Sequence, residues 1–115
     1  MEDYKIDINP YPKRVRVCYK GTTLADSRSA LQLEETRHGQ VLYFPMADVN
    51  MDLLEASDHQ THCPLKGDAS YWSLHLDGES LDNLIWAYKH PFEGVSQIDG
   101  YVAFYQDRVD IEILE

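Results

Sequence analysis

At 115 residues, 43% of them hydrophobic, the chain has the material for one domain with a single core. Its formal charge of −10 excludes non-specific binding to nucleic acid or to anionic membranes, since both surfaces would repel it. No apolar run reaches the roughly 18 residues needed to cross a bilayer, and MEDYKIDINP lacks the basic and apolar regions of a secretory signal, so cytoplasmic residence is expected. Two cysteines, Cys18 and Cys63, are too few for a disulfide scaffold or a four-thiolate zinc site, so free thiols and no cofactor are expected.

Taken in chain order, residues 1–13 are polar and carry Pro10 and Pro12, which reads as an extended lead-in to a single domain over 14–115. RVRVCYKG alternates strictly: Val15, Val17 and Tyr19 face inward, and Gly21 turns the chain into a second strand at TTLAD. Lys13, Arg14, Arg16 and Lys20 form a local basic cluster. A solvated outer strand face accounts for it, with an acidic partner as the alternative. Ser27 or Ser29 then starts a short helix, with Ser29 and Gln32 in capping-box spacing and Gly39 as the stop. On that helix Ala30, Leu33 and Glu34 share a face, which turns a carboxylate toward apolar neighbours.

QVLYFP is a strand ended by Pro45. ADVNMDLLEASD holds a second short helical turn, with Asn50 or Asp52 as cap and Met51, Leu53 and Leu54 as anchors. HQTHCP is extended, because the residue before a proline avoids the α region. ASYWSLHL is the clearest strand and ends at the hairpin turn Asp77-Gly78. NLIWAY follows, with Trp86 and Tyr88 expected on one face with Leu84. GYVAFYQDRVDIEIL reads as a closing pair of strands turning near Gln106-Asp107. The pattern is mainly β, with two short helices.

The richest chemistry lies at THCPLKGDASYWS, residues 61–73, where Pro64 and Gly67 make a bend. Cys63 is a candidate nucleophile, because attack requires a thiolate and Lys66 with the turn's N–H groups would stabilise one; a buried packing role competes. His62 would point to the opposite side of an extended segment. His59, His62 and Cys63 lack the spacing of a zinc knuckle, and no metal site is expected. Lys66-Gly67 reverses the order of a phosphate loop, so Lys66 is either an isolated phosphate contact or the ion-pair partner of Glu34. Trp72 shares a face with Leu74 and reads as core. Tyr43 and Tyr88 have hydroxyls suited to a polar pocket. Capping and surface solvation suffice for Ser27 and Arg28.

Together ADSRSAL with Glu34, YFPMADV, HQTHCPLKGDASYW, IWAYKHP and GYVAFYQDRVDI resemble the domain-of-unknown-function family 427, over about Arg14 to Leu114. Its signature Cys-Pro-x-Lys-Gly-x-Ala-x-Tyr is matched at Cys63, Pro64, Lys66, Gly67, Ala69 and Tyr71. The resemblance implies a small antiparallel β-barrel or tent-like sheet, similar to the methionine sulfoxide reductase B and cereblon ligand-binding folds. Relatives of that tent fold hold zinc through four cysteines, which this chain lacks, so metal dependence and reductase chemistry do not carry over. The family also bears a nucleotidyltransferase-like label, but no glycine-rich phosphate turn accompanies the spaced acids Asp48 and Asp52. The expectation is therefore a binding domain for a small polar molecule, its pocket lined by Glu34, Tyr43, Cys63, Lys66, Tyr71 and Tyr88. The alternatives are an enzyme using Cys63 or Lys66, or a protein-interaction module with an unknown partner.

Overall fold

The computed structural model describes residues 5–114. Among the described residues ten strands run in chain order: β1 (Ile6–Pro10), β2 (Arg14–Tyr19), β3 (Thr22–Ser27), β4 (Leu31–Glu35), β5 (Gly39–Pro45), β6 (Leu54–Cys63), β7 (Gly67–Leu76), β8 (Glu79–Tyr88), β9 (Tyr101–Phe104) and β10 (Asp110–Leu114). They form a seven-stranded sheet, ordered β1-β4-β5-β9-β8-β7-β6, and a three-stranded sheet, ordered β10-β2-β3. Both sheets are antiparallel, and neither closes into a barrel. Among the described residues no helix is long and apolar enough to cross a membrane.

Strand alternation builds two cores on opposite faces of the large sheet. In β5, Leu42 and Phe44 point to one side and Tyr43 to the other; in β9, Val102 and Phe104 are divided in the same way from Ala103. The first core lies between the sheets. Val15, Val17 and Leu24 of the small sheet meet Phe44, Ile85, Val102 and Phe104 of the large one. Phe44 and Phe104 cross edge to face at 5.7 Å between ring centroids. The second core lies on the outer face of the large sheet. Leu33, Tyr43, Ala69, Tyr71 and Tyr88 pack there with Val95 and Ile98 of the 3-10 segment Glu93–Ile98.

Several expectations give way to this arrangement. The barrel is replaced by two stacked open sheets. The helix expected after Ser27 is strand β4, hydrogen-bonded between β1 and β5. Ser27 and Ser29 do not cap a helix; the Ser27 hydroxyl accepts from the Ser29 N–H at 2.9 Å and donates to Asp48 at 2.7 Å. Arg37 and Gly39, with φ of 68° and 78°, make a tight reversal that lets β4 pair with β5, and ladder bonding outweighs a short capping pattern. The second expected helix is reduced to two 3-10 turns, Met46–Asp48 and Met51–Leu53. Asn50 flanks the second without a side-chain cap, while Met51, Leu53 and Leu54 do anchor on the inter-sheet core.

The lead-in contributes β1, an edge strand paired with β4. The closing strands do not pair with each other: β9 lies between β5 and β8, and β10 crosses to β2 through the 3-10 turn Gln106–Arg108. Leu84 faces the inter-sheet core, while Trp86 and Tyr88 face the outer one. The pairing register slips opposite Trp72–Leu74, and Asn83, at φ 54°, turns its N–H to the Ser73 hydroxyl at 3.0 Å. That irregularity resets the alternation. The basic strand β2 is neutralised within the chain. Arg14 and Arg16 reach Asp26, Arg16 also reaches Glu112, and Lys20 reaches Glu79.

Candidate functional site

The Cys-Pro-Leu-Lys-Gly bend is the hairpin turn between β6 and β7. Cys63 and Gly67 form the last paired residues, and the Lys66 N–H donates back to the Cys63 carbonyl at 3.2 Å. Gly67 has φ of 120°, outside the range L side chains adopt readily, and a Cβ there would come within 3.3 Å of the His90 carbonyl oxygen. The Phe92 N–H donates to the Lys66 carbonyl at 2.9 Å, which ties the bend to the loop after β8. Held from both sides, the bend carries the Lys66 side chain inward, and the residue is buried.

Lys66 Nζ meets Glu35, not Glu34, at 2.6 Å, and both side chains are about nine-tenths buried, at 10 and 11% exposure. The difference is one of periodicity. On a helix Glu34 would have shared the face of Ala30 and Leu33. On strand β4 the inward residues are Leu31, Leu33 and Glu35, and Glu34 projects outward to accept a hydrogen bond from Gln40 Nε2 at 3.0 Å. Lys66 Nζ also lies 3.8 Å from Cys63 Sγ, as a hydrogen-bond donor to the sulfur. An ammonium has three donors, so these two contacts leave one for a further acceptor.

The tyrosines assemble behind this pair. Tyr43, Tyr71 and Tyr88 are all buried in the outer core, beside Cys63. Trp86 Nε1 donates to the Tyr43 hydroxyl at 3.4 Å, and the Tyr71 hydroxyl shares a 2.9 Å hydrogen bond with Thr61 Oγ1. Burial pushes the Tyr43 phenol up to about 12, opposed in part by the Trp86 hydrogen bond and reinforced by the Glu35 charge. Burial also raises Tyr88, with Tyr43, Cys63, Tyr71 and Glu35 adding to the shift. Both phenols are therefore held neutral.

Beside the bend opens a cleft of about 530 Å³, lined by Glu35, His38, Cys63, Pro64, Leu65 and Lys66. Of the six residues expected to line one pocket, Cys63 and Lys66 do so. Tyr43, Tyr71 and Tyr88 form the packed layer behind them, and Glu34 lines a neighbouring recess of about 330 Å³ next to β1, which shares Glu35 with the cleft. His62 turns away, as its position on β6 dictates, and pairs with Asp68 at 2.6 Å on the exposed side. His59 lies against the Tyr71 ring, 4.6 Å between centroids. Sequence reasoning missed Glu35 and His38. The tight-turn signal His38-Gly39, flanked by alternating residues, was available to reveal both.

An all-β domain of two open sheets, with a cleft over a buried lysine–glutamate pair, is the class of molecule these features define. The chain belongs to the family described as Domain of unknown function (DUF427), whose model matches residues 7–115. No curated protein matches it in sequence.

Proposed function

We propose that this domain is a cytosolic small-molecule binder whose ligand enters the cleft beside the β6–β7 bend. The observation that carries the reading is the buried Lys66–Glu35 pair. Breaking a buried pair by removing one partner is costly, and an apolar pair of similar volume would often be at least as stable, so stability alone gives little reason for this one. A recognition role gives a reason: Glu35 holds the ammonium in place, and its remaining donor takes a carbonyl, carboxylate or phosphate oxygen of the ligand. Pro64 and Leu65 offer apolar surface to the ligand's body. Thermal-shift screening of small carboxylates, phosphates and heterocycles, followed by calorimetry, tests the idea. Lys66→Met should weaken binding about tenfold or more, as expected for loss of a charge-assisted hydrogen bond. Unchanged affinity in that variant, or no ligand from the screen, sinks the proposal.

A second reading, an enzyme with Cys63 as nucleophile, is favoured by the 3.8 Å approach of Lys66 Nζ to Cys63 Sγ. Alkylation by iodoacetamide, followed by peptide mass spectrometry, separates the two readings. A nucleophilic Cys63 should react faster than Cys18 and slow down in Lys66→Met. Equal rates at the two cysteines remove it.

A further inference from the structure

Where β3 ends and the chain crosses to β4, a recess of about 570 Å³ is lined by Arg14, Asp26, Arg28, Ser29 and Asp48. It is distinct from the lysine cleft and shares none of its lining residues. One wall is already neutralised. Arg14 grips Asp26 in a two-pronged pair, Nε to Oδ1 and Nη2 to Oδ2, each at 2.7 Å, and Arg16 Nε adds a contact at 3.4 Å. The paired guanidinium hydrogen bonds draw the Asp26 carboxyl down to about 2, so it stays ionised and occupied.

The other charged groups are arranged differently. Ser27 is 2% exposed, and its hydroxyl accepts from the Ser29 N–H, which directs its own proton to Asp48 Oδ2 at 2.7 Å. Asp48 is thus held in one orientation by a buried group, with Oδ1 left for another donor. Arg28 is exposed and, among the described residues, makes no hydrogen bond or ion pair. A carboxylate and a guanidinium therefore line one recess without pairing to each other, on a chain with twice as many acidic as basic residues.

We propose that this recess binds a small zwitterion of the amino-acid kind, its ammonium on Asp48 and its carboxylate in the fork of Arg28. The charge balance of the lining selects this class. Two arginines and two aspartates sum to zero, so a simple anion brought to Arg28 meets Asp48, and a simple cation brought to Asp48 meets Arg14 and Arg28. A molecule carrying both charges satisfies both unpaired groups at once, and a planar guanidinium matches a carboxylate through two parallel hydrogen bonds. The recess is also of the size that small-molecule sites have.

Calorimetry of the full chain at low salt against the common free L-amino acids tests this, with the N-acetyl and carboxamide form of each as probes lacking one charge. At least one free amino acid should bind, and blocking either end should weaken it about tenfold or more. Asp48→Asn and Arg28→Gln should each have the same effect. Asparagine still accepts the Ser27 proton and Arg28 is exposed, so both variants should fold as the parent does. Lys66→Met should leave this binding unchanged, which separates the outcome from that of the lysine cleft. The proposal is overturned if no free amino acid binds, if the blocked forms bind as tightly, or if inorganic phosphate or methylamine competes equally well.

Discussion

On the inner face of the seven-stranded sheet, Phe44, Ile85, Val102 and Phe104 pack against the aliphatic residues of β2 and β3; on the outer face, their strand neighbours Tyr43, Trp86 and Ala103 sit among hydroxyls, a thiol and an ion pair. The same strands supply both faces, because successive side chains point to opposite sides. The inner face is closed by a second sheet and stabilises the fold through burial alone. The outer face packs against the Glu93–Ile98 segment rather than a second sheet, and it keeps polar groups that require specific partners. Stability and chemistry are thus divided between the two sides of one sheet, and the two sides should respond differently to perturbation.

Truncating the inner core should have the largest effect. Phe104→Ala removes a fully buried ring that crosses Phe44, and should cost about 3–5 kcal/mol in urea unfolding. A loss no greater than that of a surface substitution would show that the inner face does not carry the fold.

Lys66→Met should come next, at about 3 kcal/mol, because it removes the ammonium that meets buried Glu35 at 2.6 Å. Adding Glu35→Leu should return most of that loss, since a matched apolar pair leaves no uncompensated charge. Failure of the double variant to recover would mean that packing, not charge, dominates at this position.

Alkaline pH should weaken the outer face selectively. Below about pH 10 Tyr43 is neutral in both folded and unfolded chains, so its burial has no pH dependence. Above that, the unfolded phenol ionises while the folded one resists up to about 12, so the unfolded state gains and stability falls between pH 10 and 12. Tyr43→Phe should reduce that slope, and Phe104→Ala should not. Denaturant titrations across this range read both.

The smallest effect belongs to Glu34. Glu34→Gln should change stability by no more than about 0.5 kcal/mol, because this side chain is exposed on the outward side of β4. A loss comparable to that of Lys66→Met would contradict the strand phase that puts Glu35 inward.

The candidate site was legible in part for a definite reason. Cys63, Lys66 and Tyr71 come from one bend and the strand that follows it, where Pro64, Gly67 and strict alternation constrain the geometry within a few residues. Tyr43 could be placed by the same alternation along QVLYFP, whereas in NLIWAY the irregularity beside Asn83 separates Tyr88 from Leu84. Glu35 was not legible, because Ser29 and Gln32 imitate a helix start and a helical phase exchanges Glu35 for its neighbour. Ser27 and Asp48 lie 21 positions apart, and no local pattern announces that one hydroxyl will hold the other's carboxylate.

By itself, the sequence determined the mainly β character, the hairpin at Asp77-Gly78 and the bend at residues 63–67. All of these rest on backbone preferences and side-chain alternation over a few residues. Only the tertiary structure decided that β4 is a strand, that β9 and β10 join different sheets and that Glu35 is the partner of Lys66. Those outcomes depend on ladder hydrogen bonds and burial between segments distant in the chain, which can override a local propensity.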